Sequence, residues 1–277
     1  MVVLVNGGTK VSDTKEDKET ITFENGDVYE GETANGEPHG KGKMTYASGE
    51  TYEGDYANGK MHGTGKMTWL DGQEYEGGFV EDYRNGAGKY THSDGSIYEG
   101  NFSGGLCCGK GKLTFTNGDI YEGDFEDGEP NGKGTCTFAN GDIYEGDYKD
   151  GYRTGEGKFT SIDGNVYEGG YINGIPYGTG KYTYASGDTY EGDWSDGKRH
   201  GKGTFTFACE AGERTGLKYE GDFDNDQFHG KGKMTDPNGD EYEGDFANNT
   251  MHGKGKMTYA NGTVKEGDWE DGELVEK

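Results

Sequence analysis

The sequence predicts an all-β fold: an elongated, twisted single antiparallel sheet of tandem 23-residue β-hairpins, solenoid-like in its repetition. Three observations predict it. The tripeptide Tyr-Glu-Gly returns every 23 residues. Glycine supplies 56 of 277 residues, far too many for stable helices. Between the glycine clusters, aromatic and charged residues alternate with the period of two that a strand requires.

The N-terminal extension, residues 1–19, holds Val2-Val3-Leu4-Val5 and then a polar stretch. The apolar segment is short enough to add one edge strand or to dock on a neighbour, with a frayed terminus as the alternative. It lacks a basic region and a long apolar run, so a secretory signal is not expected. Val2 stands where myristoylation needs glycine, and Leu274-Val275-Glu276-Lys277 offers no prenylation site.

The repeat array, residues 20–272, opens on Thr20-Ile21-Thr22-Phe23. Tyr-Glu-Gly begins at Tyr29, Tyr52, Tyr75, Tyr98, Tyr121, Tyr144, Tyr167 and Tyr190, then at Tyr219 and Tyr242, with a degenerate copy at Lys265. The one longer step, from Tyr190 to Tyr219, places an insertion at 208–218. Ten full units and terminal half-units result, and residues 273–277 remain as a C-terminal tail. About 21 strands at ~4.8 Å spacing predict an array roughly 100 Å long.

The unit at Tyr52 shows the logic. Tyr52, Gly54 and Tyr56 share one face of the first strand, and Glu53 and Asp55 take the other. A turn is expected over Ala57–His62. Gly63, Gly65, Met67 and Trp69 then share the aromatic face, opposite Thr64, Lys66 and Thr68. A ring lying down on glycine is a good steric match. Glu and Asp facing Lys across strands make exposed pairs of ~0.2–1 kcal/mol each. Turns between units carry Ser48-Gly49, Asp71-Gly72 or Asn117-Gly118, dipeptides suited to positive φ.

The pattern Tyr-x-Gly-x-aromatic-x-x-Gly-x-x-His-Gly-x-Gly, over roughly residues 20–272, resembles the MORN repeat (membrane occupation and recognition nexus). The resemblance implies a free-standing antiparallel sheet. It extends to the MORN subunits of ciliary radial spoke heads, which are likewise acidic chains given over to the repeat.

Departures from the pattern carry further information. The histidine position reads His39, His62, Asn85, Cys108, Asn131, Thr154, Tyr177, His200, His229 and His252. Loss in the middle fits either adaptation to a partner or drift. The second-strand aromatic position runs Tyr46, Trp69, His92, Phe115, Phe138, Ser161, Tyr184, Phe207, Asp236 and Tyr259. At His92, Ser161 and Asp236 a curled sheet tolerates a gap or a partner fills it.

Composition limits the function. Net charge is −26, which opposes nucleic acid and anionic bilayers and favours basic partners. Cys107, Cys108, Cys136 and Cys209 form no C-x-x-C and are expected reduced, as in cytoplasm. No apolar run reaches the length of a membrane span. Gly36-Glu37-Pro38-His39-Gly40-Lys41-Gly42 lacks the Ser/Thr and following helix of a phosphate loop. Histidines one unit apart stand about 10 Å from one another, too far to share zinc. No nucleophile context is recognisable, and neither cofactor nor metal is expected.

A non-enzymatic protein-interaction scaffold is therefore expected, and the resemblance to the spoke-head MORN subunits implies a place in the cytoskeleton and the axoneme of a cilium or flagellum. Its expected partners are other subunits of such an assembly, engaging through basic or helical segments; homodimerisation stays open. The expected contact surface is the aromatic face: Tyr29, Tyr46, Tyr52, Tyr56, Trp69, Tyr98, Phe102, Phe115, Tyr121, Phe125 and Phe138. The N-terminal end is expected to be the more engaged one. The alternatives are a phosphoinositide-bound membrane adaptor, which lacks the basic cluster that lipid recognition needs, and an adaptor for an amphipathic helix of a motor or signalling protein.

Overall fold

In the computed structural model, residues 18–208 and 216–275 are described. They are all-β: among the described residues there are twenty-three strands and no helix, and the strands pair antiparallel. The chain divides into two compact units, Met1–Cys107 and Cys108–Lys277. The extension 1–19 lies outside the described residues except for Lys18 and Glu19, as do Cys209 and most of the insertion.

The first unit opens on the strand Glu19–Thr22, paired with Val28–Ala34, and continues as hairpins. The second repeats the same hairpin to Val264–Glu270. Its last pairing sets Glu273–Leu274 against Trp269 and Glu270, so residues assigned to a tail add a short strand.

Each hairpin joins a seven-residue strand to a nine-residue one, as in Thr51–Ala57 and Lys60–Thr68. The turn expected over Ala57–His62 is tighter than predicted. Only Asn58 and Gly59 turn, at φ 52° and 78°, the two positive angles of a type I′ turn. His62 and its equivalents therefore sit on strands and not in loops, with His39, His62, His200, His229 and His252 exposed. The strand absorbs the extra length through a bulge. Pairing steps from Gly54↔Gly65 to Tyr56↔Met61, with Gly63 at φ 65° inside the irregularity.

The turns between repeats are of another kind. Phe115 N–H donates to Asp119 O at 2.9 Å, and Gly118 N–H to Phe115 O at 3.0 Å, with φ positive at Gly118. This is a type I turn closed by a left-handed residue. Adjacent turns are stitched together: Asp119 Oδ1 accepts from Ala139 N–H at 2.8 Å, and Asp142 Oδ1 from Ile162 N–H at 2.8 Å.

The core is a single layer of rings. Tyr52 lies over the paired glycines Gly54 and Gly65, and its Oη donates to Asp55 O at 3.0 Å. Tyr56 meets Tyr52 edge-on at 5.1 Å, and Phe79 of the next hairpin meets Tyr52 at 4.9 Å. In the second unit the chain of edge-to-face contacts runs Tyr121–Tyr148–Tyr144–Tyr171–Tyr167–Trp194–Tyr190–Phe223–Tyr219–Phe246–Tyr242–Trp269. Such pairs add ~0.5–1.5 kcal/mol each beyond burial. This is how a chain poor in aliphatic residues builds a core.

Candidate functional site

The two faces of the sheet differ because glycine has one covered side and one bare side. On the charged face the glycine columns form troughs flanked by Glu and Lys, such as Glu53, Lys66, Glu76 and Lys89 around Gly54, Gly65, Gly77 and Gly88. The lysines are largely engaged: Lys41 pairs with Asp55 at 2.6 Å, and Lys133 with Asp147 at 2.7 Å.

Those aspartates do more than decorate a solvated face. Asp55 Oδ2 accepts from Thr64 N–H at 2.9 Å, and Asp124, Asp147, Asp193, Asp222 and Asp245 make the same bond nine residues on, at 2.8 to 3.1 Å. Each carboxylate pins the bulge. Its recurrence at a fixed spacing before the bulge glycine, Asp55 before Gly63 and Asp124 before Gly132, was the available sequence signal. The bond from Lys41 is the largest influence on Asp55 and holds its carboxyl below the usual range.

The aromatic face divides into two layers. Of the expected contact residues, Tyr29, Tyr52, Tyr56, Tyr98, Phe102, Tyr121 and Phe125 are buried as core. Their rings are taken up by glycine and by one another, which leaves little for a partner to touch. Tyr46, Trp69 and Phe138 are half-buried, and Phe115 is exposed. The accessible aromatic row thus comes from the second strand of each hairpin and the turn after it. Tyr184 of the second-strand row joins it, as do residues not singled out from sequence: Tyr90, Phe159 and Tyr182.

Three breaks in that row have local explanations. His92 packs edge-on against Tyr90 at 4.5 Å, and burial keeps its imidazole below the usual pKa, hence neutral. Ser161 Oγ accepts from Asn165 N–H at 3.1 Å, and Asp236 Oδ1 from Asn238 N–H at 3.0 Å, each capping its own turn.

In the second unit the row deepens into a groove of about 610 Å³. Phe138, Phe159, Tyr182 and Trp194 give it apolar walls, Pro176 and Tyr171 are part of its lining, and Asp119 and Asp142 mark its rim. Arg153 also lines it, its guanidinium 5.7 Å from the Phe138 ring centre and 5.2 Å from that of Tyr144. Arg84 in the first unit lies 4.5 Å from the Tyr90 ring centre, and Arg199 lies 5.1 Å from that of Phe205. Cations over ring faces are stabilised by the ring quadrupole.

No metal-binding cluster occurs among the described residues. Cys107, Cys108 and Cys136 are not disulfide-bonded, and burial pushes the Cys136 thiol up. The described residues include no helix long and apolar enough to cross a membrane.

The family model for the MORN repeat matches ten segments: seven contiguous ones from 29–51 to 167–189, then 190–208, 219–241 and 242–264. A search of curated proteins found no match. Among solved structures, the chain is similar to the TCP10 domain of Danio rerio CPAP in complex with a STIL peptide, at 12% identity, 91% and 99% coverage of the two chains and a TM-score of 0.45. It is also similar to the Drosophila melanogaster SAS-4 TCP domain in complex with a proline-rich motif of Ana2, at 16% identity, 70% and 99% coverage and a TM-score of 0.37. TM-scores this low say nothing about what this chain binds.

Proposed function

This chain belongs to the MORN-repeat family, and on that premise we propose that it is a non-enzymatic protein-interaction scaffold, a structural subunit of a ciliary or flagellar axoneme assembly such as the radial spoke head. The observation that carries the scaffold reading is the groove around Phe138, Phe159, Tyr182 and Trp194. It is open, apolar and cut into a rigid ring-on-glycine layer, and an extended or helical segment could bury its own apolar side chains there. The same surface suits an amphipathic helix of a motor or signalling protein. The axonemal placement rests on the resemblance to acidic, repeat-dominated spoke-head subunits.

Two measurements test the reading. The tagged chain is expected to remain with detergent-extracted axonemes and to retain defined protein partners. Phe138→Ala and Tyr182→Ala are expected to lower partner recovery while leaving the β-sheet spectrum unchanged. Full release from axonemes would remove the placement. Partner recovery indifferent to both substitutions would remove the groove.

A further inference from the structure

Arginine occupies the same hairpin position three times, at Arg84, Arg153 and Arg199, and each reaches the turn of the next hairpin. Arg84 Nη2 donates to Gly105 O at 2.6 Å, Arg153 Nη2 to Gly174 O at 3.0 Å, and Arg199 Nη2 to Asp226 O at 2.6 Å. The backbone returns the bond in each case, from Gly105, Gly174 and Asp226 N–H. Only the third turn residue has a side chain that can neutralise the cation: Asp226 Oδ1 accepts from Arg199 Nε at 3.2 Å. Where glycine takes that place, the guanidinium has ring centres 4.5 to 5.8 Å away, a carbonyl at one nitrogen and no ion pair among the described residues. In a chain with 53 acidic residues that is a pointed omission.

The groove of the second unit holds one of these unneutralised cations. The rim carboxylates are committed elsewhere. Asp119 accepts from Ala139 N–H at 2.8 Å and Asn117 Nδ2 at 2.9 Å, and Asp142 from Ile162 N–H at 2.8 Å and Asn140 Nδ2 at 2.7 Å. They stay at the rim as fixed negative charge. A free guanidinium in an aromatic setting binds carboxylate with charge-assisted hydrogen bonds. The rim and the net charge of −26 meanwhile disfavour polyanions and dianionic phosphate.

We infer that the Arg153 groove takes a partner segment bearing a single carboxylate, an Asp or Glu side chain set beside an aromatic or aliphatic residue, in an otherwise neutral or basic sequence. Arg153 pairs with the carboxylate, and Phe138, Phe159 and Tyr182 receive the apolar neighbour. The inference rests on the groove being a protein-binding surface.

The test uses the full chain as bait for a displayed random-peptide library. Groove binders are those lost with Phe138→Ala or Tyr182→Ala. The expected binders share one Asp or Glu next to an apolar residue, and replacing it by its amide weakens binding about tenfold to a hundredfold, as befits a charged hydrogen bond. Arg153→Met is expected to abolish the acid-over-amide preference while keeping the apolar contribution. Gly174→Asp supplies an internal carboxylate where Asp226 stands for Arg199, at a positive φ that Asp226 itself adopts, and is expected to have the same effect with the arginine intact. Arg199→Met, whose charge is already matched, leaves the preference unchanged. Groove binders with no acid preference, or with phosphorylated or multiply acidic residues preferred, would overturn the inference and leave the groove standing. An absence of groove binders would overturn both.

Discussion

Tyr52 lies so close upon Gly65 that a β-carbon on that glycine would stand 2.3 Å from the phenol oxygen and 2.4 Å from ring carbon Cζ. The glycine is present because the ring needs its space. Gly65→Ala must displace either the ring or the facing backbone, and overpacking of this kind costs about 1–3 kcal/mol. A lowered urea midpoint is expected; an unchanged midpoint would show that the ring can lift without loss.

The hydroxyls of Tyr52 and Tyr56 predict opposite results for the same change. Tyr52 Oη donates to Asp55 O at 3.0 Å, and Tyr52→Phe is expected to cost about 1 kcal/mol. Tyr56 Oη is buried without a hydrogen-bond partner among the described residues, and Phe79 and Phe102 hold the equivalent position in the next two hairpins. Tyr56→Phe should leave stability unchanged or raise it. Parallel thermal melts of the two variants decide the matter.

The bulge aspartates should matter through their charge. Asp245 Oδ2 accepts from Lys254 N–H at 3.0 Å, and Oδ1 pairs with Lys231 at 2.6 Å. With the carboxylate about a third exposed, Asp245→Ala is expected to cost about 1 kcal/mol. Its pKa lies below the usual aspartate value, chiefly through Lys231. This contribution is therefore present above the unfolded aspartate pKa and lost as pH falls through the lower folded one. Denaturation of wild type and variant across acid pH should show the gap between them closing.

The tyrosine core predicts an alkaline limit. Burial raises Tyr75, Tyr121, Tyr144 and Tyr242 from 10.0 to about 12. Below pH 10 the phenols are neutral in both states. Between the unfolded and folded values only the unfolded chain ionises, so stability falls as pH rises through that window. The tyrosinate absorbance of the buried rings is expected to appear late and together with loss of β-structure. Ionisation of the full tyrosine complement near pH 10 with the fold intact would contradict the burial of these rings.

Anionic vesicles should not retain the isolated chain at physiological salt. Most lysines on the charged face are paired, as Lys41 with Asp55 and Lys231 with Asp245, within a net charge of −26. Co-sedimentation that weakens with added salt would reverse this expectation.

The repeat period, the antiparallel hairpins and the side of the sheet taken by Tyr52 and Glu53 were all legible in the sequence. A strand's period of two and a recurring glycine leave few arrangements open. What the tertiary structure decided was depth. Sequence periodicity puts Tyr52, Tyr56 and Trp69 on one face but cannot say that the first two become core and the third stays half-exposed. That depends on which ring finds a bare glycine pair beneath it, Gly54 and Gly65 for Tyr52, and which is left at a turn. The two-residue turn at Asn58-Gly59 was hidden because the strand beyond it carries a bulge, and a bulge changes the residue count without changing composition. The isolation of Arg153 was equally hidden: only the fold brings Gly174 beside Arg153 where the corresponding turn residue, Asp226, neutralises Arg199.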